Sequence, residues 1–144
     1  MRIIIDADAC PVTRIAIEEA EKRNIPVTCV CDTSHILSDN YATVITVDKG
    51  RDIADLAVVN LCGYGDIVIT QDYGVASMAL AKKSKCLNQN GLYYTENNID
   101  SLMAIRHIAS VERRKSSKHH LKGPKKRTQE DDEKFRKALI LLLE

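Results

Sequence analysis

Short β-branched runs alternate with longer stretches of helical period along the first two-thirds of the chain. Ile3-Ile4-Ile5 sits in a buried-strand pattern over Arg2 to Asp6. Pro11 suits a first helical turn, and Ile15, Ala16, Glu19 and Ala20 carry a helix to about Arg23. Pro26 to Cys31 reads as a second strand, Asp32 to Tyr41 as a polar loop and Ala42 to Val47 as a third strand. An apolar helix is predicted from about Asp52 to Cys62, stopped by Gly63-Tyr64-Gly65. Asp66 to Thr70 is a fourth strand, and Asp72 is placed to cap a helix reaching about Lys83. Lys85 to Leu87 and Leu92 to Tyr94 are short strands around a turn at Gly91.

Asn97 or Asn98 then opens a long helix to about Arg114. A basic Gly-Pro linker follows over 116–127. Thr128 with Asp131 resembles a capping box, and Phe135, Ala138, Leu139 and Leu142 share one face of a last helix. Strands alternating with helices predict an α/β fold with a mostly parallel central sheet and helices on both faces. The predicted organisation is an α/β domain over 1–115, the linker over 116–127, and a C-terminal helix over 128–144 docked on the same domain.

At 144 residues the chain fits one domain with a real core. It has one Phe, five Tyr and no Trp, so that core is aliphatic. No apolar run is long enough to span a bilayer, and Arg2 leads straight into a strand, so the expectation is a cytoplasmic protein with no membrane partner. The five cysteines (Cys10, Cys29, Cys31, Cys62, Cys86) match no zinc or redox spacing and read as small buried hydrophobes. A net charge of +1 conceals an asymmetry: residues 1–105 carry −5, 106–127 carry +8, and 128–144 carry −2. An acidic body beside a basic arm suggests a polyanion drawn past a cation-binding pocket; a solvated, solubilising linker explains the arm equally well.

The chemistry lies in five aspartates. Asp6 and Asp8 follow the first strand, and Asp72 follows the fourth, at the carboxyl edge where open α/β sheets bind ligands. Asp52 and Asp55 stand one turn apart on a helix otherwise made of Ile53, Ala54, Leu56, Ala57, Val58, Val59 and Leu61, which reads as packed on most sides. Charges buried there need a partner, and a hard divalent cation, Mg²⁺ or Mn²⁺, supplies one. Each acid also has a plainer reading. Asp8 and Asp72 can cap helices, Asp52 can favour a helix N-terminus, and Asp55 can pair with Arg51. Asp66 starts its strand at the opposite edge and reads as a turn residue. The four histidines show no zinc spacing with cysteine, and there is no Gly-rich phosphate loop or nucleophile elbow.

Five segments together carry a resemblance: Asp6-Ala7-Asp8-Ala9-Cys10-Pro11, Gly50-Arg51-Asp52-Ile53-Ala54-Asp55, Thr70-Gln71-Asp72-Tyr73-Gly74, Leu87-Asn88-Gln89-Asn90-Gly91 and Gly123-Pro124-Lys125-Lys126-Arg127. Along nearly its whole length the chain resembles the bacterial YaiI/YqxD family, which is grouped with PIN-like domains. The resemblance implies a PIN-like fold and a Mg²⁺- or Mn²⁺-dependent ribonuclease. On it, Asp6 matches the acid after the first strand, Asp52 and Asp55 the mid-chain helix acids, and Asp72 the acid of a Thr-x-Asp motif. Asp8 is an extra carboxylate, and many PIN domains carry Glu where this chain offers only Asp.

The resulting expectation is phosphodiester hydrolysis of RNA. Asp6, Asp8, Asp52, Asp55 and Asp72 hold metal, and Thr70 orients water. Lys122, Lys125, Lys126, Arg127 and Arg51 grip phosphates, while Asn88, Gln89 and Asn90 hydrogen-bond ribose or base. A homodimer is left open. Two other classes compete: a non-catalytic RNA-binding or regulatory module, and a haloacid-dehalogenase-like phosphatase with Asp6 as nucleophile and Asp8 as acid. Against the latter, position 10 is Cys where Thr or Val is usual, and no convincing late Lys and acidic pair follow.

Overall fold

The computed structural model describes residues 1–33, 37–50, 52–115 and 126–144. Within them the chain forms β1 (Ile3–Asp6), α1 (Thr13–Glu21), β2 (Val27–Asp32), β3 (Thr43–Val47), α2 (Ile53–Leu61) and β4 (Ile67–Ile69). There follow α3 (Tyr73–Ala81), β5 (Lys85–Leu87), β6 (Tyr93–Tyr94), α4 (Ile99–Lys115) and α5 (Gln129–Leu143). Arg51 and the basic residues Lys122 and Lys125 lie outside the described residues, as do His35, His119 and His120.

One sheet has the order β3-β2-β1-β4-β5-β6. Every neighbouring pair is parallel except β5 with β6, which is antiparallel. This is the predicted α/β architecture. Successive residues of β1 point to opposite faces, and both faces are apolar, as a central parallel strand requires. Ile3 and Ile5 join Val27, Cys29, Ile67, Ile69 and Leu87 in a core covered by α1 and α5. Ile4 joins Val30, Val68 and Cys86 on the other face beneath α2, α3 and the start of α4.

The C-terminal helix completes the first of these cores. Phe135 and Leu139 are fully buried in it. Thr128 and Asp131 cap the helix reciprocally, so both backbone donors at its start are satisfied. Glu19 of α1 accepts hydrogen bonds from Arg23 and from Arg136 of α5, which ties the two helices together. Tyr93 donates to the Ala138 carbonyl at 2.6 Å, holding α5 against the antiparallel edge.

Two local expectations change. The helix after β1 starts at Thr13 with Val12 at its N-cap position, so Asp8 is not the cap of that helix. Asp8 instead accepts from the Asp32 backbone N–H at 3.1 Å, across to the end of β2. The predicted packing of α2 on most sides is also corrected: only Val58 is fully buried, while Ile53 and Leu56 face outward at 38% and 53% exposure. A 9-residue helix lying on a sheet is covered on one side only. All five cysteines are free thiols, four of them buried and Cys10 half-buried. Among the described residues no helix is long and apolar enough to cross a membrane.

Candidate functional site

β1 lies between β2 and β4, and the chain leaves it on one side while returning later on the other. The loops after β1 and β4 therefore diverge, which leaves a crevice at the carboxyl edge of the sheet. Asp6 is the last residue of β1, and Asp8 lies two residues on. Thr70 and Asp72 follow β4, and Asp55 arrives from the first turn of α2. Asp6, Asp8, Asp55 and Asp72 line one cavity of ≈ 280 Å³, together with Gln71 and Arg106.

Hydrogen bonds set the positions of these acids. The Thr70 hydroxyl, 1% exposed, donates to Asp6 Oδ2 at 2.9 Å and accepts from the Asp72 backbone N–H at 3.0 Å. One buried hydroxyl thus joins the two strand-end acids, and its proton is already engaged on Asp6. Asp72 Oδ1 caps α3 by accepting from the Val75 N–H at 3.0 Å. Gln71 Nε2 donates to the Ala9 carbonyl at 3.0 Å, bridging the loops after β1 and β4. Asp52 occupies the N-cap position of α2 in a left-handed conformation, φ 64°, without capping through its side chain. It lines an adjoining cavity of ≈ 310 Å³ that shares Asp55 and Asp72 with the first. The structure therefore brings Asp6, Asp8, Asp55 and Asp72 together and sets Asp52 next door.

Electrostatics make this a strained group of charges. Burial pushes the Asp6 carboxyl up to about 6; the Thr70 hydrogen bond works against that, and repulsion from Asp55, Asp8 and Asp72 adds to it. Asp55 is raised as well, by burial first and then by Asp72, Asp52 and Asp8. Carboxylates that raise one another's proton affinity offer hard oxygen donors, the donor type that Mg²⁺ and Mn²⁺ prefer. In donor chemistry the residues fit such an ion. Among the described residues, however, no three acidic, histidine or cysteine side chains already stand as a ligand set. The acids surround one cavity without forming a closed coordination shell.

Arg127 and the turn of Asn88, Gln89 and Asn90, expected to hold nucleic acid, make hydrogen bonds within the protein. Arg127 Nε pairs with Asp132 Oδ1 at 2.6 Å, its Nη1 donates to Asn90 Oδ1 at 2.8 Å, and its Nη2 donates to the Gln89 carbonyl at 2.7 Å. Asn88 Oδ1 accepts from the backbone N–H groups of Asn90 and Leu92, both at 2.9 Å. Together they fasten the β5–β6 turn to the start of α5. Lys126 is exposed. Two polar cavity residues carried no role in the sequence reading. Gln71 stood in view between Thr70 and Asp72. Arg106 had no local signal, because only the packing of α4 against α3 brings it to the acids.

Comparison with known proteins places the chain in a defined group. The family model described as "Uncharacterized BCR, YaiI/YqxD family" matches residues 4–144. A UPF0178 protein of Clostridium acetobutylicum is 50% identical over 143 residues, covering 99% of this chain and 97% of the relative. UPF0178 proteins of Ruminiclostridium cellulolyticum and Alkaliphilus oremlandii are each 51% identical, covering 99% and 100% of this chain and 92% of each relative. No solved structure matches.

Proposed function

The chain belongs to the YaiI/YqxD family, and from that premise we propose that it is a Mg²⁺- or Mn²⁺-dependent phosphodiesterase acting on RNA. The observation that carries this reading is the gathering of Asp6, Asp8, Asp55 and Asp72 around one cavity at the point where strand order reverses. A phosphodiester cannot approach four carboxylates unless positive charge stands between them. A bound dication supplies that charge, and it supplies a water acidic enough to attack at neutral pH. Asp6, Asp55 and Asp72 would hold it with Asp8 as a further donor, and Asp52 serves the adjoining cavity. Thr70 acts as a positioning residue: its hydroxyl fixes Asp6 and Asp72 relative to one another. Asp72 commits Oδ1 to the helix cap, which leaves its other oxygen for the cavity.

A second reading, an RNA-binding module without turnover, draws on the open arrangement of the acids among the described residues. Calorimetric titration of Mn²⁺ into chelator-stripped protein separates the cases. Wild type should bind, with affinity falling at least tenfold in Asp6→Asn and in Asp55→Asn and less in Asp52→Asn. Single-stranded RNA should then be cut with Mn²⁺ and spared with EDTA. Equal Mn²⁺ binding by wild type and both variants sinks the site. Metal and RNA binding without cleavage selects the second reading.

A further inference from the structure

Arg106 stands in an odd position for a cation. It lines the cavity of Asp6, Asp8, Asp55 and Asp72, yet none of the ion pairs among the described residues includes it. Its guanidinium carbon lies instead over the Tyr73 ring, 5.8 Å from the centroid. Tyr73 in turn meets Tyr94 edge-on at 5.8 Å and 72°. Tyr94 is buried and donates to the Thr70 carbonyl at 3.3 Å. A stack thus runs from the strand-end Thr70 through two rings to an exposed guanidinium. It holds that guanidinium off the acids.

The same arginine forms one wall of a second cavity, ≈ 250 Å³, with Tyr73, Gly74, Met103 and His107. The two cavities meet at Arg106. Gly74 lies close against the acidic site, because a Cβ there would stand 3.1 Å from Asp72 Oδ1. Met103, 40% exposed, offers an apolar face, and His107 offers a hydrogen-bonding edge. A ligand spanning both spaces carries an anion beside a flat, partly apolar group with polar edges. A nucleotide in a single strand has that chemistry. Unpaired bases stack on arginine planes and pack on side chains of this kind.

We propose that the Tyr73–Met103–His107 cavity receives the base next to the phosphate held at the acidic site, with Arg106 gripping that phosphate and presenting its plane to the base. The proposal rests on the nuclease reading and names the substrate contact that reading lacks. It makes Arg106 a substrate-binding residue and gives α4 a role in choosing single strands.

The test is fluorescence anisotropy with two labelled octamers of equal charge, (dT)₈ and the same backbone without bases. Ca²⁺ keeps the carboxylates neutralised. Wild type should prefer (dT)₈ by roughly 5- to 100-fold, the range that one stacked base brings. Arg106→Ala should weaken both octamers by about tenfold and reduce the salt slope by about one. Arg106→Lys should recover the baseless octamer but not (dT)₈, since lysine has no plane. Met103→Ala and His107→Ala should weaken (dT)₈ alone. All three positions are at the surface of α4, and unchanged circular dichroism checks that each variant folds. Equal wild-type affinity for the two octamers overturns the base cavity while leaving the nuclease reading standing on its Mn²⁺ titration. A preference that survives all the variants places the base elsewhere and overturns the proposal. No binding of either octamer overturns the proposal.

Discussion

Replacing Asp6 by Asn should make the metal-free protein more stable while abolishing its site. Moving the Asp6 carboxyl from 3.8 to about 6 means that, once ionised, it costs the folded state about 3 kcal/mol. The sign follows from proton binding. Between pH 3.8 and about 6 the folded chain holds more protons than the unfolded one, so stability falls as pH rises. Below 3.8 the cost is absent, and above about 6 it is complete. Asn keeps an oxygen to accept from Thr70 but carries no charge, so about 2–3 kcal/mol should return at pH 7.5 in EDTA. For a chain of this length that raises the melting temperature by roughly 5–10 °C. At pH 3.5 wild type and variant should melt together. Saturating Mn²⁺ should narrow the gap at pH 7.5, because ligand binding stabilises only wild type, by about 2.7 kcal/mol at a hundredfold excess over Kd. Differential scanning calorimetry at the two pH values decides the matter. No stabilisation at pH 7.5, or an equal one at pH 3.5, would refute the reasoning.

Glu19 should show the opposite slope. Burial pushes its pKa up, but hydrogen bonds from Arg23, Arg136 and Lys22 outweigh that and hold it at about 2. Its contribution is complete above about 4.5 and is lost as pH falls through about 2. Glu19→Gln should cost roughly 2–4 kcal/mol in urea at pH 7, a gap that shrinks at pH 2.5; a pH-independent gap would count against the network. Gly91→Ala should cost at least about 2 kcal/mol by urea denaturation, because φ is 83° and its Cβ would stand 2.8 Å from the Lys134 carbonyl oxygen. A change under about 0.5 kcal/mol would mean that α5 yields easily.

The alternation of apolar runs carried the strand sequence and the carboxyl-edge position of Asp6 and Asp72, since both follow from local pattern. The caps at Asp72 and Thr128 were equally legible, because a cap is a contact within one turn. What escaped depended on distance along the chain. Asp8 looked like a cap, but Cys10-Pro11-Val12 postpone the helix and a strand neighbour claims its oxygen. The apolar sequence of α2 suggested burial all round, yet a single sheet beneath it can cover one side only. Arg127 read as a phosphate ligand, and its ties to Gln89, Asn90 and Asp132 had no local signal. Arg106 and the Glu19–Arg136 pair could not be seen at all, because α4 and α5 acquire their neighbours only in the assembled fold.

That α5 seals the face beneath Phe135 has a kinetic side. Its link to α1 joins residues 117 positions apart. Closing such a loop is inexpensive at equilibrium, because each doubling of length adds only about 0.6 kcal/mol. The search for it is slow, because contacts remote in sequence form late. Early in folding, then, Ile3, Ile5, Ile67 and Ile69 have α1 alone over one side of a sheet whose other side can already be packed by its nearer helices. The helix that completes the cover of that face is the last to protect it, so refolding yield should fall with protein concentration well before stability does.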